Sequence, residues 1–229
     1  MNLDIWPPPY QIKINKRAKR ISLRICPQDG LKLILPKPSS EKLGIQFLNA
    51  NRSWVESRLK DFKPKIKTLP ETIHLLALMQ KWPIRYERVS FARKTKLLSN
   101  INEIVLYGKD FEYDAVLSLL NRWLREKATN HLIEWTQRLS NHCHLPIQSI
   151  TIRTQKTRWG SCTHDKEIIL NDRLLFLPDY CVDYIIIHEL CHTVHLNHSK
   201  AFWELVESFV PEYRAIRNSL RKLQHELPF

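Results

Sequence analysis

The stretch HELCHTVHLNH, residues 188–198, constrains this chain more than any other. His188 and His192 are four apart, a spacing that on an α-helix places two imidazoles on one face, one turn above the other. Glu189 follows the first of them directly. In an HExxH pattern that carboxylate lies close enough to polarise a water beside a metal held by the two histidines. The pattern asks for a helix here, anchored well enough to keep two ligands still. Val182, Ile185, Ile186, Leu190 and Val194 supply the apolar anchoring. Pro178 and Asp179 suit a first turn, and Asp183 adds negative charge near the positive end of the helix dipole.

Two imidazoles leave a zinc ion short of ligands, because a catalytic zinc takes a third protein ligand and keeps one open position. His195 is seven residues past His188 and near the same face, but about 10.5 Å further along the axis. Three ligands spread so far on one straight helix converge poorly. His198 serves if the helix stops first. Asn197 is a residue type that ends helices in the left-handed conformation. Ser199 can then cap a new helix over KAFWELVESF and bring His198 back over the metal. Glu204 and Glu207, on that second helix, are the remaining candidates. A four-ligand structural zinc could draw on Cys191, His195 and Cys162. Cys191 is on the wrong turn to converge with His188 and His192, however, and full ligation would leave Glu189 without a role.

Hydrophobic periodicity sets the rest of the chain around this helix. ISLRI (21–25) and LKLILP (31–36) read as strands either side of the turn-like PQDG, and KPSSEKLGIQFLNANRSWVESRLK then changes to helical spacing with Ser39 or Ser40 as cap. The Pro- and Lys-rich DFKPKIKTLP (61–70) reads as a joint. The expected division is a small β-rich N-terminal α+β unit over 1–68 and a second unit over 69–229. In the second, IRYERV (84–89), EIVLY (103–107), SITIR (149–153) and EIILN (167–171) read as strands, and 112–141 as a long helix with a core-facing apolar stripe. The fold class is α+β.

Composition bounds the function. No apolar run approaches 18 residues, so no helical membrane span is expected, and MNLDIWPPPY does not read as a secretory signal. Five scattered cysteines without a CxxC pair fit a reduced, cytoplasmic setting. The formal charge of +13 attracts anions, nucleic acid included, and RAKR (17–20), KDFKPKIK (60–67) and RKTK (93–96) concentrate it. Non-specific nucleic-acid contact is therefore one expectation, and a solvated basic surface accounts for the same residues. Four glycines leave little material for a phosphate-binding loop.

Taken together, TRWGSC (157–162), IILNDRLLFLP (168–178) and DYIIIHELCHTVHLNHSKAFWELVE (183–207) resemble the YgjP-like metal-dependent hydrolases, a family grouped with the zincin metalloproteases and related to the SprT-like proteases. The N-terminal RAKRISLRI, LKLILPKPSS and FLNANRSWVESRL are similar to that family's leading unit. The resemblance implies a zincin-like fold, a small mixed sheet with an active-site helix, over 69–229. It implies zinc held by His188, His192 and His198, with Glu189 as catalytic carboxylate. Metzincins share the spacing of the third ligand, but His195 stands where they carry glycine, and the only methionines, Met1 and Met79, precede the site.

The expected reaction is hydrolysis of a peptide bond by water activated at zinc, with Glu189 moving the proton. Arg158, Tyr180, Tyr213 and His195 are candidates to stabilise the oxyanion. EIILN is expected to receive an extended peptide or protein substrate by strand addition. The competing readings are a zinc hydrolase of a non-peptide amide, and a nucleic-acid-binding module with a structural metal.

Overall fold

The computed structural model describes residues 6–26, 30–60, 68–155 and 157–223. The chain divides into two compact units, Met1–Thr68 and Leu69–Phe229. Across both it is a mixed α+β protein with small sheets and six α-helices among the described residues.

The first unit is a three-stranded sheet carrying two helices. Strands β1 (Tyr10–Ile14), β2 (Ser22–Cys26) and β3 (Gly30–Leu35) lie in the order β1-β3-β2. The central β3 alternates, burying Leu31, Leu33 and Leu35. On it packs α1 (Glu41–Ala50), whose first turn is capped by Ser40 Oγ accepting from the Leu43 N–H at 3.3 Å. Gly44 permits the close approach, since a Cβ there would lie 2.8 Å from Leu35 Cδ2. The helical spacing read as one element is broken at Asn51, which donates from Nδ2 to the Phe47 carbonyl at 2.8 Å, before α2 (Arg52–Lys60) begins. A side chain that satisfies a helix-end carbonyl in this way competes with continuing the helix. β1 was not apparent from the sequence, because its YQIKI is almost wholly exposed.

The second unit holds two sheets. Strands β4 (Thr72–Leu75), β5 (Gln80–Arg88), β6 (Lys96–Asn100) and β7 (Glu103–Gly108) form the order β4-β5-β7-β6, with β5 and β7 parallel. The long helix α3 (Tyr113–Cys143) buries Val116, Leu120, Trp123, Leu124, Ala128 and Leu132, a stripe at threes and fours. It ends at His144, which adopts the left-handed conformation. Strands β8 (Ser149–Arg153), β9 (Gly160–Cys162) and β10 (Glu167–Asn171) follow in the order β8-β10-β9. The remaining helices are α4 (Asp179–Cys191), α5 (Lys200–Phe209) and α6 (Tyr213–Leu223). α4 is apolar nearly all round, and a helix of that kind belongs inside a core. It buries Cys181, Val182, Ile185, Ile186, Leu190 and Cys191 among α3, α5, α6 and β9. Trp135 of α3 donates to Asp183 Oδ1 of α4 at 2.7 Å, fixing the two helices in register.

Two expectations are corrected here. EIILN is β10, the central strand of its sheet, parallel to β8 on one side and antiparallel to β9 on the other. Both its edges are taken, so it cannot receive a substrate strand. Asn197 is not among the residues of positive φ. α4 instead ends at Cys191, and the chain passes through turns before Asn197 Oδ1 accepts from the Ser199 N–H at 3.2 Å.

Among the described residues no helix is long and apolar enough to cross a membrane. The basic group RAKR lies in a turn region of the first unit, and RKTK leads into β6 of the second. Of KDFKPKIK, all but Lys60 falls outside the described residues, as does most of the joint at 61–70 and of PQDG.

Candidate metal centre

The end of α4 and the start of α5 bring three imidazoles together. His188 lies in the last turn of α4, His192 caps it, and His198 lies just before Ser199, the residue that caps α5 by accepting from the Phe202 N–H at 3.4 Å. One ring nitrogen from each of His188, His192 and His198 lies within 4.8 Å of the others. The Nε2 atoms of His188 and His198 are 3.1 Å apart. Tetrahedral zinc with Zn–N bonds of about 2.0–2.1 Å places donor pairs about 3.3 Å apart. The donor chemistry and this spacing fit zinc.

Each ring is held by neighbours. His192 Nδ1 sits 2.9 Å from the backbone carbonyl of His195, so a proton on Nδ1 turns Nε2 toward the cluster. Phe202, fully buried, stacks on His192 with centroids 4.4 Å apart. Trp203 stacks on His198 at 5.4 Å and is itself backed by Tyr213 at 5.2 Å. Burial, with His192 and His198 alongside, pushes the His188 imidazole down to about 3, so it is the neutral form that a metal requires. His198 is shifted the same way by burial and by the nearby His192 and Arg217.

The other proposed ligands stay apart. His195 contributes its backbone carbonyl. Glu204 is exposed and pairs with Lys200 at 3.5 Å, and Glu207 pairs with Arg214 at 3.6 Å. Among the described residues no cysteine joins the three histidines. Cys191 is fully buried with its thiol pushed up to about 12 by that burial. The four-ligand structural site therefore has no support in this arrangement.

Glu189 is 6% exposed and packs against Gly160 of β9. A Cβ on residue 160 would lie 2.8 Å from Glu189 Cγ and 2.9 Å from Oε1, so only glycine leaves the carboxylate its seat. Burial pushes this carboxyl up to about 8, against the pull of Arg158. The loop before β9 is pinned by the buried Asn171, whose Nδ2 donates to the carbonyls of Gln155 at 2.8 Å and Arg158 at 2.7 Å. Beside it the fully buried Asp172 meets Thr154 and Arg125, tying the same loop to α3.

His188 and Glu189 open onto a cleft of about 340 Å³ that Arg158, Trp159, Gly160, Tyr184, Arg217 and Arg221 also line. Of the four residues put forward for the oxyanion, Arg158 lines this cleft. Tyr180 lies at the far end of α4 from His188. Tyr213 is buried behind Trp203, where its hydroxyl accepts from Arg214. Sequence reasoning passed over Tyr184 and Arg217, and it read Phe202 and Trp203 as packing α5 against α4 without their stacking on His192 and His198. Phe202 and Trp203 follow His198 by four and five residues on α5, and that spacing was a usable signal.

Among the described residues β9 is paired on one side only, with β10. Backbone bonds from Asn171 to Trp159 and from Thr163 to Glu167 set the alternation of that ladder. Residue 161 therefore bonds inward, while Gly160 and Cys162 direct N–H and C=O groups to the outer edge.

A comparison with curated proteins finds no relative. Among solved structures, the metallopeptidase zymogen abylysin of Pyrococcus abyssi matches at 26% identity over 40% of this chain and 93% of that one, with a TM-score of 0.36. The model described as YgjP-like, metallopeptidase domain, matches residues 19–223, nearly the whole chain and all of the candidate metal centre, so this metal-dependent hydrolase belongs to the YgjP-like metallopeptidase family.

Proposed function

We propose that residues 69–229 form a zinc-dependent peptidase unit, with residues 1–68 as a separate N-terminal unit. The observation that carries this reading is the convergence of His188, His192 and His198 within 4.8 Å, with buried Glu189 beside them in an open cleft. Zinc held by the three imidazoles supplies a Lewis acid that polarises a carbonyl and lowers the pKa of water. Glu189 accepts a proton from water as its oxygen adds to the scissile carbonyl carbon, then returns a proton to the departing amine nitrogen. Arg158 supplies a positive donor to the carbonyl oxygen as it becomes negative. The outer edge of β9, at Gly160 and Cys162, pairs with an extended peptide, which lays the scissile bond beside Glu189. A site that ends in a strand edge favours a polypeptide over a small amide.

Glu189→Gln tests the proton's route while keeping side-chain size. On a substrate that the wild-type protein cleaves, hydrolysis should fall at least about a hundredfold with zinc retained. Equal turnover by the two proteins would remove Glu189 from the chemistry.

A further inference from the structure

Helix α6 presents two arginines, Arg217 and Arg221, to the cleft that holds His188 and Glu189. They are four apart, so they lie on one face of the helix. Arg217 also lines the adjoining space beside His188, His198 and Trp203. Its guanidinium lies 5.1 Å from the centre of the Trp203 indole, which holds it in place over the ring. Neither arginine forms an ion pair with a described residue. The contrast with Arg214 on the same helix is informative: it points elsewhere and pairs with Glu207 at 3.6 Å. Among the described residues that line the cleft, Glu189 is the only acidic one, and it sits against Gly160. Two guanidinium groups in a concavity, one of them held over an indole and neither with a carboxylate of its own among the described residues, form a receptor for one.

We infer that Arg217 and Arg221 form a subsite for a substrate carboxylate, making the cleft selective for peptides with an acidic side chain or chain end near the cleaved bond. This rests on the peptidase reading and adds the substrate class. The size of the cleft sets the reach. A space of about 340 Å³, treated as a sphere, is roughly 9 Å across, less than three extended residues at ~3.3 Å each. The carboxylate therefore belongs to a residue that flanks the scissile bond or is one removed from it. Arg158 lies in the same cleft but on the loop before β9, where it is assigned to the reacting carbonyl.

The test uses fluorescent hexapeptides of an alanine host with Glu, Gln or Lys at each position in turn, each as free acid and as C-terminal amide. The full chain, zinc-loaded, should cleave the best Glu peptide roughly tenfold faster in kcat/KM than its Gln counterpart, and the Lys peptide more slowly still. Arg217→Gln with Arg221→Gln should bring the Glu:Gln ratio to within about twofold of unity, and Arg217→Glu with Arg221→Glu should reverse it in favour of Lys. A preference for the free acid over the amide assigns the carboxylate to the chain end; a preference for internal Glu assigns it to the side chain. Binding to Glu189→Gln, followed by fluorescence anisotropy, reads the subsite without cleavage and should show the same order. Ordered binding with no cleavage by the wild-type chain would uphold the subsite and overturn the peptidase reading. Cleavage with no charge preference would do the reverse. Absence of binding by every peptide, or binding of a single-stranded oligonucleotide that the acidic peptides fail to displace, would overturn the subsite.

Discussion

Gly160→Ala perturbs the site by a single methyl group and tests how closely β9 seats the proposed catalytic carboxylate. The backbone does not demand glycine there, since Gly30 is the only glycine of positive φ among the described residues. The added carbon is therefore the whole perturbation. It would stand 2.8 Å from Glu189 Cγ, 2.9 Å from Oε1 and 3.0 Å from Cδ. Carbon atoms rest at about 3.5–4.0 Å, so the Glu189 side chain must retreat by about 0.7–1 Å. An off-rotamer side chain costs about 1 kcal/mol, and the overpacked contact brings the loss of stability to roughly 1–3 kcal/mol. Catalysis is far more sensitive, because a displacement of about 1 Å in a reacting group costs on the order of a hundredfold. The assay is kcat/KM on a cleaved peptide, with melting and metal content measured on the same preparation. The variant should stay folded, keep its metal and lose about a hundredfold in rate. Combined with Glu189→Gln it should be little worse than Glu189→Gln alone, because both changes act on one carboxylate. Wild-type kcat/KM in Gly160→Ala, or full additivity in the double variant, would refute the reasoning.

Asn171→Ala removes two hydrogen bonds from the loop carbonyls of Gln155 and Arg158 and should cost about 2 kcal/mol in denaturant unfolding, with a lower kcat because β9 follows that loop. Phe202→Ala empties a fully buried position stacked on His192; a loss of about 3–5 kcal/mol with weakened metal retention is expected, read by calorimetry and metal analysis. Cys162→Pro deletes a donor from the outer edge of β9 and leaves the Ile169–Ser161 pair with β10 untouched. A proline is tolerated at such an edge, so KM for peptides should rise several-fold with zinc content unchanged.

The parts of the fold that the sequence disclosed are those where one face is buried. The stripe of α3 and the alternation of β3 follow from burial on one side. Exposed edges leave no such trace: β1 and β6 are almost wholly solvent-facing, and β9 is three residues long. That asymmetry drew the expected substrate strand to a position that cannot serve. EIILN attracted attention as the apolar strand, but Ile168 and Leu170 are fully buried because β10 is central, and near-continuous apolar strands belong inside sheets. Among the described residues the edges of that sheet are β8 and β9, and the edge beside Glu189 is the unassuming GSC. At the candidate metal centre, the pairing of His188 and His192 on one helical face needs only the helix period. The approach of His198 depends on the turns after Cys191, where the expected left-handed Asn197 is replaced by a side-chain cap on Ser199. The seat of Glu189 against Gly160 joins residues 29 apart in the chain, a juxtaposition with no local signal.

Metal content tests the central claim most directly. Purified under conditions that retain bound metal, the wild-type chain and His195→Ala should each carry about one zinc. His188→Ala, His192→Ala and His198→Ala should each lose most of it while far-ultraviolet circular dichroism shows the fold retained. Full zinc occupancy in a folded His198→Ala, or a wild-type chain that binds no zinc at any loading, would contradict the account.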